Sequence, residues 1–400
     1  PCAVGYDINC GMRLLATSLQ RHEVDVVTLA NAFRRDIPLG EGKRNIGVPP
    51  TVFDQVLEQG VGATPAIAEH QARVAACFEP AEFARDMDCI EDRGSMSGVL
   101  EAVSVRARSR GIEQLATLGG GNHFIEIQQV SDVMDTAIAA AFGLRLEQIV
   151  VMIHSGSRGL GYQVADEFMA AARRWDERHG YALPDRDLAY FTVASREGVQ
   201  YRGAMQAAAN FAFVNRQLMA MLVRRNLRHY FGRDLPVPTV YDVPHNIAKF
   251  EQHNGRLYCV HRKGATRAFP AARMQGTPYA TSGQPVLIPG SMGTASYVLA
   301  GVDSGGESLY SVNHGAGRTM SRTAATGRGR RGRYKGEPAI SDEAFKRSME
   351  GVYLVCEDKR TVKEEAPAAY KDIDAVVAVV AGAGLARPVA RMRPLAVLKG

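Results

Sequence analysis

Four times along this chain a short apolar, β-branched run stops at a loop of glycine, serine, asparagine or proline that carries a chemically active side chain. Ile149 to Ile153 runs into His154-Ser155-Gly156-Ser157-Arg158-Gly159, and Thr239 to Val243 runs into Pro244-His245-Asn246. Val286 to Ile288 meets Pro289-Gly290-Ser291-Met292-Gly293, and Leu309 to Val312 meets the loop around His314. Such runs read as buried strands, and binding groups collect on the loops at strand ends. A chain patterned this way is expected to fold around sheets whose end loops build the site.

Between the strands, the spacing predicts a helix over Tyr162 to Glu177 and a longer one over Val199 to Tyr230. The second ends on Arg224, Arg225 and Arg228, which read as a solvated basic terminus. A loop over Arg328 to Pro338 precedes a short helix that Ser341 caps, with Asp342 and Glu343 in its first turn. No repeat of 20 to 50 residues is visible. This mixture points to an α+β fold and not to a regularly alternating α/β one.

Length alone, at 400 residues, would allow two or three domains. The 46% hydrophobic and 22% charged content belongs to an ordinary folded chain. A net charge of +6 suits a polyanionic partner without demanding one. The basic run Arg328, Arg330, Arg331, Arg333 and Lys335 is broken by glycines, so it reads as a loop able to follow a phosphate backbone or simply to face solvent. Cys2, Cys10, Cys77, Cys89, Cys259 and Cys356 follow no disulfide spacing, which points to a reducing compartment. The longest apolar stretch, Ala375 to Ala386, is glycine-interrupted and falls short of the roughly 18 residues of a spanning helix, and no signal peptide is recognisable. Because a candidate metal motif follows Pro1 within ten residues, a segment upstream is expected.

The histidines divide into two groups. His22, His70, His179, His229, His253 and His261 sit in mixed or charged contexts typical of surface or satisfied histidines. His123, His154, His245 and His314 instead lie beside Gly, Asn or Pro, where rings can point into a shared cavity. Asp7-Ile8-Asn9-Cys10-Gly11 adds a carboxylate and a thiol three residues apart. Sulfur, imidazole and carboxylate together suit Mn, Fe, Co or Zn, and allow a dinuclear site bridged by Cys10; alone, Cys10 would be a buried free cysteine. Gly119-Gly120-Gly121-Asn122-His123-Phe124 and Pro289 to Gly293 can cradle phosphate with their N–H groups or form tight turns, and neither matches a Walker or dinucleotide fingerprint. His314-Gly315-Ala316-Gly317-Arg318 places an imidazole among small residues with an arginine four positions on, so His314 reads as a nucleophile or as a ligand or turn histidine.

These motifs, together with Ile125-Glu126, Thr294 and the closing Lys399-Gly400, resemble the RtcB family of RNA-splicing ligases, in that family's order and over nearly the whole chain. The resemblance implies one α+β catalytic domain over residues 1–400, with mixed sheets flanked by helices. It implies a GTP-dependent enzyme in which His314 forms a covalent GMP adduct. RNA 3′-phosphate or 2′,3′-cyclic phosphate ends would then be joined to 5′-hydroxyl ends, in tRNA splicing or RNA repair. Two Mn ions would be held by Asp7, Cys10, His123, His154 and His245. Contacts to the guanylate carry over to Asn122, His123, Glu126, His245, Asn246, Pro289, Gly290, Ser291, Met292, Ser296, Gly315, Ala316, Gly317 and Lys399. Glu126 would accept from guanine, and Arg158 and Arg318 would hold RNA phosphates.

The resemblance further implies a cytoplasmic monomer without a membrane segment, acting on broken or spliced tRNA ends with an archease-type activator as a possible partner. It also implies an upstream segment with a Pro-Asp-Val-His stretch, so the chain reads as N-terminally incomplete. Ile37-Pro38-Leu39-Gly40-Glu41-Gly42 departs from the family's Pro-Ser-Gly-Val-Gly. A metal-dependent phosphoesterase of cyclic phosphate ends and a non-catalytic RNA-binding paralogue are the competing classes.

Overall fold

The run Gln148 to Ser155 is buried at every position, which a strand allows only when both faces are covered. Its alternate residues serve two cores. Ile149, Val151 and Ile153 pack with the long helices, whereas Val150 and Met152 pack with Met12, Leu14 and Phe124 on the opposite face. This double coverage explains why the run looks continuously apolar.

In this computed structural model residues 1–181, 183–327, 333, 336–358 and 362–400 are described. The strands are β1 (Gly11–Gln20), β2 (Phe124–Val133), β3 (Gln148–Ser155) and β4 (Thr239–Pro244), followed by the hairpin β5 (Asn246–His253) and β6 (Arg256–Lys263). Then come β7 (Ala265–Arg267), β8 (Pro285–Ile288), β9 (Ser296–Gly301) and β10 (Ser311–Asn313). β11 (Tyr353–Cys356) and β12 (Ala386–Lys399) close the chain. Eight strands form the main sheet in the order β4-β1-β3-β2-β12-β9-β8, with β11 parallel on β12 and the other pairs antiparallel. β4 and β8, at the two ends of this order, come into contact, so the sheet curls toward a barrel. Pro394, which donates no ladder hydrogen bond, sits at a register shift of β12.

The register matters most for the site. Gly11 lies opposite both Ser155 and Pro244, Phe124 opposite both His154 and Lys399. One end of the sheet therefore gathers residues that are up to several hundred positions apart in sequence.

Helices cover one face. α1 (Val26–Asp36), α2 (Pro50–Gln59), α3 (Arg158–His179) and α4 (Arg196–Phe231) pack there, and α5 (Ile373–Gly382) belongs to a smaller cluster with β8 and β9. α3 starts earlier than Tyr162, directly at the Arg158 loop, and stops at the left-handed Gly180. α4 is capped by Ser195, whose side chain accepts from the Gly198 N–H. Ser341 likewise caps the helix Asp342–Ser348.

The basic end of α4 is not solvated. Arg224 makes a buried bidentate pair with Asp86, Arg225 meets Asp36 at 2.5 Å and Arg228 meets Glu82 at 2.5 Å. These carboxylates lie far away in sequence, so periodicity within the helix could not announce them. The apolar stretch from Ala375 splits into the end of α5 and the start of β12. Of the basic run at 328–335, only Arg333 lies within the described residues. Among those residues, no helix is long and apolar enough to cross a membrane. Among the described residues, none of the six cysteines forms a disulfide.

Candidate functional site

Cys10 leaves the Asp7 turn to enter β1, and its thiol is the hub of the site. Its Sγ lies 3.3 Å from His123 Nε2 and 3.1 Å from His154 Nε2. His123 Nε2 is 2.7 Å from Asp7 Oδ2, and His154 Nε2 is 3.2 Å from His245 Nε2. Two donor groups result, Asp7–Cys10–His123 and Cys10–His154–His245, each with its ligand atoms within 4.8 Å of one another. Such spacings are those of donors roughly 2.0–2.3 Å from a common cation. The chemistry of the set also fits: one thiol shared by both groups, with imidazole and carboxylate, is the mixture that borderline divalent ions prefer.

Local structure explains how these atoms are aimed. Asn9 takes a left-handed conformation (φ 54°) and ties its side-chain amide to the Ala209 carbonyl of α4, turning the chain so that Cys10 faces the site. Asp7 accepts from the Ser157 N–H at 3.0 Å, and at Gly156 a Cβ would stand 2.2 Å from the Asp7 carboxylate, so only glycine allows the approach. His123 Nδ1 contacts the Leu118 carbonyl at 3.0 Å, which assigns its proton to Nδ1 and leaves Nε2 free as a donor to a cation. Among the described residues, Nδ1 of His154 and of His245 has no hydrogen-bond partner.

Beneath the site lies a second layer that the sequence did not reveal. Arg216 of α4 donates from Nη1 to the carbonyls of Asn9 (2.8 Å) and Ser155 (2.9 Å), holding the segments that carry Cys10 and His154. Its charge is met by Asp242, which also takes Arg13 at 2.8 Å, all three side chains being fully buried. Asn215 bridges the Thr117 carbonyl and Ser155 Oγ, each at 3.1 Å. The available signal was a run of polar residues, Asn215-Arg216-Gln217, inside the otherwise apolar stretch from Phe211 to Val223.

Burial sets the protonation of the cluster. Burial and then the neighbouring imidazoles push His154 and His245 well below the ordinary histidine range, so both rings are neutral. Burial and the Asp7 charge push the Cys10 thiol up. Burial opposes the Asp7 carboxylate too, yet His123 and Arg158 hold it below its usual value. Without a cation, then, the thiolate is unfavourable, which a bound divalent ion would reverse.

His314 stands at the other end of the cluster, its ring centroid 4.3 Å from that of His245. Burial lowers its pKa, partly offset by the Gly264 backbone, so the imidazole is neutral and its free nitrogen can attack. It opens on a cavity of about 260 Å³ lined by Asn122, Phe124, His154, Pro289, Gly290, Ser291, Met292, Gly315, Ala316, Gly317, Arg318 and Lys399, together with Arg322, Glu365 and Tyr370. The last three were not among the sequence candidates. Lys399 donates to the Gly121 carbonyl at 2.9 Å. Arg318 lies over the Tyr370 ring at 4.9 Å, bonds its hydroxyl and pairs through Nη1 with Glu365 at 3.4 Å, while among the described residues its buried Nη2 meets no acceptor. A buried guanidinium N–H left open on a cavity wall is suited to an anion.

Other candidates lie differently. Asn246 sits on the metal side, bonding the Asp7 carbonyl and the Gly264 N–H. Glu126 and Ser296 stand behind the wall, both joined to Gln128, and burial pushes the Glu126 carboxyl up to about 8 against the opposing effects of Gln128 and Lys399. Arg158 turns inward: its Nε and Nη2 bond Thr117 Oγ1 and the Gly40 carbonyl, each at 3.2 Å. The departing segment Ile37 to Gly42 thus braces the site loop, Leu39 bridging to Gly119 and the Gly40 N–H donating to the Gly119 carbonyl.

The family model described as tRNA-splicing ligase RtcB matches residues 1–400. A relative from Thermococcus kodakarensis, named tRNA-splicing ligase RtcB, is 45% identical over 100% of this chain and 81% of its own length. One of the same name from Aeropyrum pernix is 43% identical, again over 100% of this chain and 81% of its own length. A third, from Pyrococcus furiosus, is 44% identical over 98% of this chain, which spans only 40% of that protein.

Proposed function

This chain belongs to the RtcB family, and from that membership and the site geometry we propose that it is a GTP-dependent RNA ligase that stores GMP on His314. The observation that carries this reading is the placement of a neutral histidine between two groups of potential metal donors sharing one thiol and a cavity lined by Arg318 and Lys399. A metal cluster alone would suit hydrolysis equally well. A nucleophile beside it, facing a nucleotide-sized recess, points to a covalent carrier.

In the proposed sequence a nitrogen of His314 attacks the α-phosphorus of GTP, forming a P–N bond while the bond to pyrophosphate breaks. An oxygen of an RNA 3′-phosphate then takes the guanylyl group, restoring the imidazole. The 5′-hydroxyl of a second RNA end attacks the 3′-phosphorus, its proton passes to solvent, and GMP leaves. A 2′,3′-cyclic phosphate end is first opened by water to the 3′-phosphate. Two divalent cations, Mn in this reading, would be held by Asp7, Cys10, His123, His154 and His245 and, when bound, supply the positive charge that phosphate oxygens require during transfer. The chain's own groups do the rest. Arg318 and Lys399 attract phosphate, Asn122, Asn246 and Ser291 position it, and Met292 and the Pro289-Gly290 and Gly315-Ala316-Gly317 turns shape the recess. Arg158, through its bonds to the site loop, orders the face on which RNA phosphates arrive. Residues 1–400 act here as one catalytic unit on tRNA ends.

Cys10→Ala removes the donor common to both groups, so metal content and guanylylation should fall together by at least about tenfold, as loss of an ordering contact alone already does. Metal analysis and labelled-GTP adduct formation on the same preparation check this. Full Mn occupancy in the variant would remove the bridging role, and a wild-type protein that takes up Mn but no label would favour the phosphoesterase.

Glu126 stands behind the cavity wall, so its proposed acceptance from guanine N1 and N2 requires both the ionised carboxylate and a shift of that wall. Its raised pKa keeps it neutral at pH 7 without ligand. GTP affinity should therefore climb severalfold per pH unit from pH 6 to about 8 and then level, while Glu126→Gln binds weakly with a flat profile. By the same linkage, the stability contributed by the raised pKa is present at acid pH and lost as pH rises through about 8. Isothermal titration of GTP across this range tests the first statement and denaturant unfolding the second; a pH-independent GTP affinity in the wild type would remove Glu126 from the base site.

A further inference from the structure

The reaction above leaves two exposed tyrosines beside the site without a task. Tyr6 and Tyr162 are 43% and 39% exposed and stack with centroids 4.9 Å apart and planes 21° apart. Arg110 lies over the Tyr162 ring at 5.5 Å and is held there by a 2.9 Å bond to Gln163. Lys263 runs its aliphatic stem along Gly5, next to Tyr6, and bonds the Cys2 carbonyl at 2.9 Å. In these bonds both cations meet neutral acceptors, so neither charge is cancelled there.

Position gives the pair a meaning. Tyr6 immediately precedes Asp7, and Tyr162 lies on the first turns of α3, just after Ser157, whose N–H holds Asp7. From Asp7 the donor atoms run in sequence through His123, Cys10, His154 and His245 to His314. The cavity beside His314 has neither Tyr6, Asp7 nor Tyr162 in its wall. The tyrosine pair thus adjoins the Asp7 end of the donor series, and the nucleotide recess adjoins the His314 end.

In phosphoryl transfer the attacking and leaving oxygens stand roughly in line across the phosphorus. On the ligase reading, which this inference assumes, GMP departs on the His314 side. The 5′-hydroxyl must then come in from the Asp7 side. We propose that Tyr6 and Tyr162 form a stacking shelf for the base of the first nucleotide of the 5′-hydroxyl RNA strand, with Arg110 and Lys263 taking the phosphates that follow. Aromatic faces accept any base, which suits an enzyme that reads an end and not a sequence.

The test uses the full chain and a short single-stranded 5′-hydroxyl RNA with 2-aminopurine as its first base, whose fluorescence is quenched by stacking. Wild-type protein should quench it on binding, whereas the same probe placed at a 3′-phosphate end should change less. Tyr162→Ala should lose the quenching and weaken binding about tenfold or more. Tyr162→Trp should restore both, which a merely structural role would not. Tyr6→Ala should behave like Tyr162→Ala. An unquenched first base in bound RNA, equal losses in Tyr162→Ala and Tyr162→Trp, or quenching confined to the 3′-end probe would overturn the proposal. Adduct formation from labelled GTP by the wild type is read separately: its absence sinks the ligase premise, while quenching still reports whether the shelf holds an RNA base.

Discussion

His314→Ala is expected to form no GMP adduct and to lose ligation by at least about 10⁴-fold, the scale on which removing a covalent nucleophile disables an enzyme. The adduct should be stable in alkali and labile in acid, as a phosphoramidate is. The substitution removes a half-buried ring that belongs to neither donor group and whose hydrogen-bond contact is to the Gly264 backbone, so folding and Mn uptake should persist. That combination matters, because a ligand histidine such as His245 would lose metal as well. Retention of acid-labile label in His314→Ala would move the nucleophile elsewhere, and loss of both label and Mn would recast His314 as a ligand. Neither Glu126 nor Lys399 substitutions should mimic it, since on the proposed reading they act on affinity for the nucleotide and leave the His314 nitrogen in place.

Asp242→Asn should be the most damaging single change to the fold. Asp242 faces Arg13 and Arg216 at once, and all three side chains are fully buried. Burial works against the carboxylate, but the two guanidinium groups hold its pKa below the ordinary range. Neutralising it leaves two cations in the interior without a counter-charge, which typically costs about 3–5 kcal/mol. That is a large share of the stability of an ordinary domain. Arg216 also holds the Asn9 and Ser155 carbonyls, so any survivor should bind Mn poorly, although Asp242 is not itself one of the candidate metal donors. Denaturant unfolding monitored beside metal content checks both parts. An unchanged midpoint would mean that the buried triad is not the support proposed here, and a stability loss with normal Mn uptake would separate fold from site.

Much of the architecture is legible before any coordinates. Buried strands announce themselves as apolar runs, and the stops at His154, His245, Pro289 and His314 follow because glycine, asparagine and proline end regular pairing. α3 and α4 are recognised by period, with ends displaced by a few residues: Ser195 caps α4 earlier than its apolar pattern begins, and Gly180 ends α3 later. Four histidines stand out, since His123, His154, His245 and His314 occupy contexts unlike those of the other six, whereas Cys10 gains its meaning only beside them. What is local in the chain is readable from the chain.

What the sequence by itself determined is the chemistry available: one thiol, one carboxylate, four loop histidines, glycine turns, and a closing lysine in an order that resembles a ligase family. Only the tertiary structure decided which of these meet. The antiparallel register puts Phe124 between His154 and Lys399, and Gly11 between Ser155 and Pro244, so that groups remote in sequence become neighbours within 4.8 Å. It also turned Arg224, Arg225 and Arg228 from a supposed solvated terminus into ion-paired supports, drew Arg158 into the loop, and placed Glu126 behind the cavity wall. The physical reason is the same in each case. A side chain's protonation and role depend on charge and burial contributed by distant segments, and no spacing within one segment encodes them.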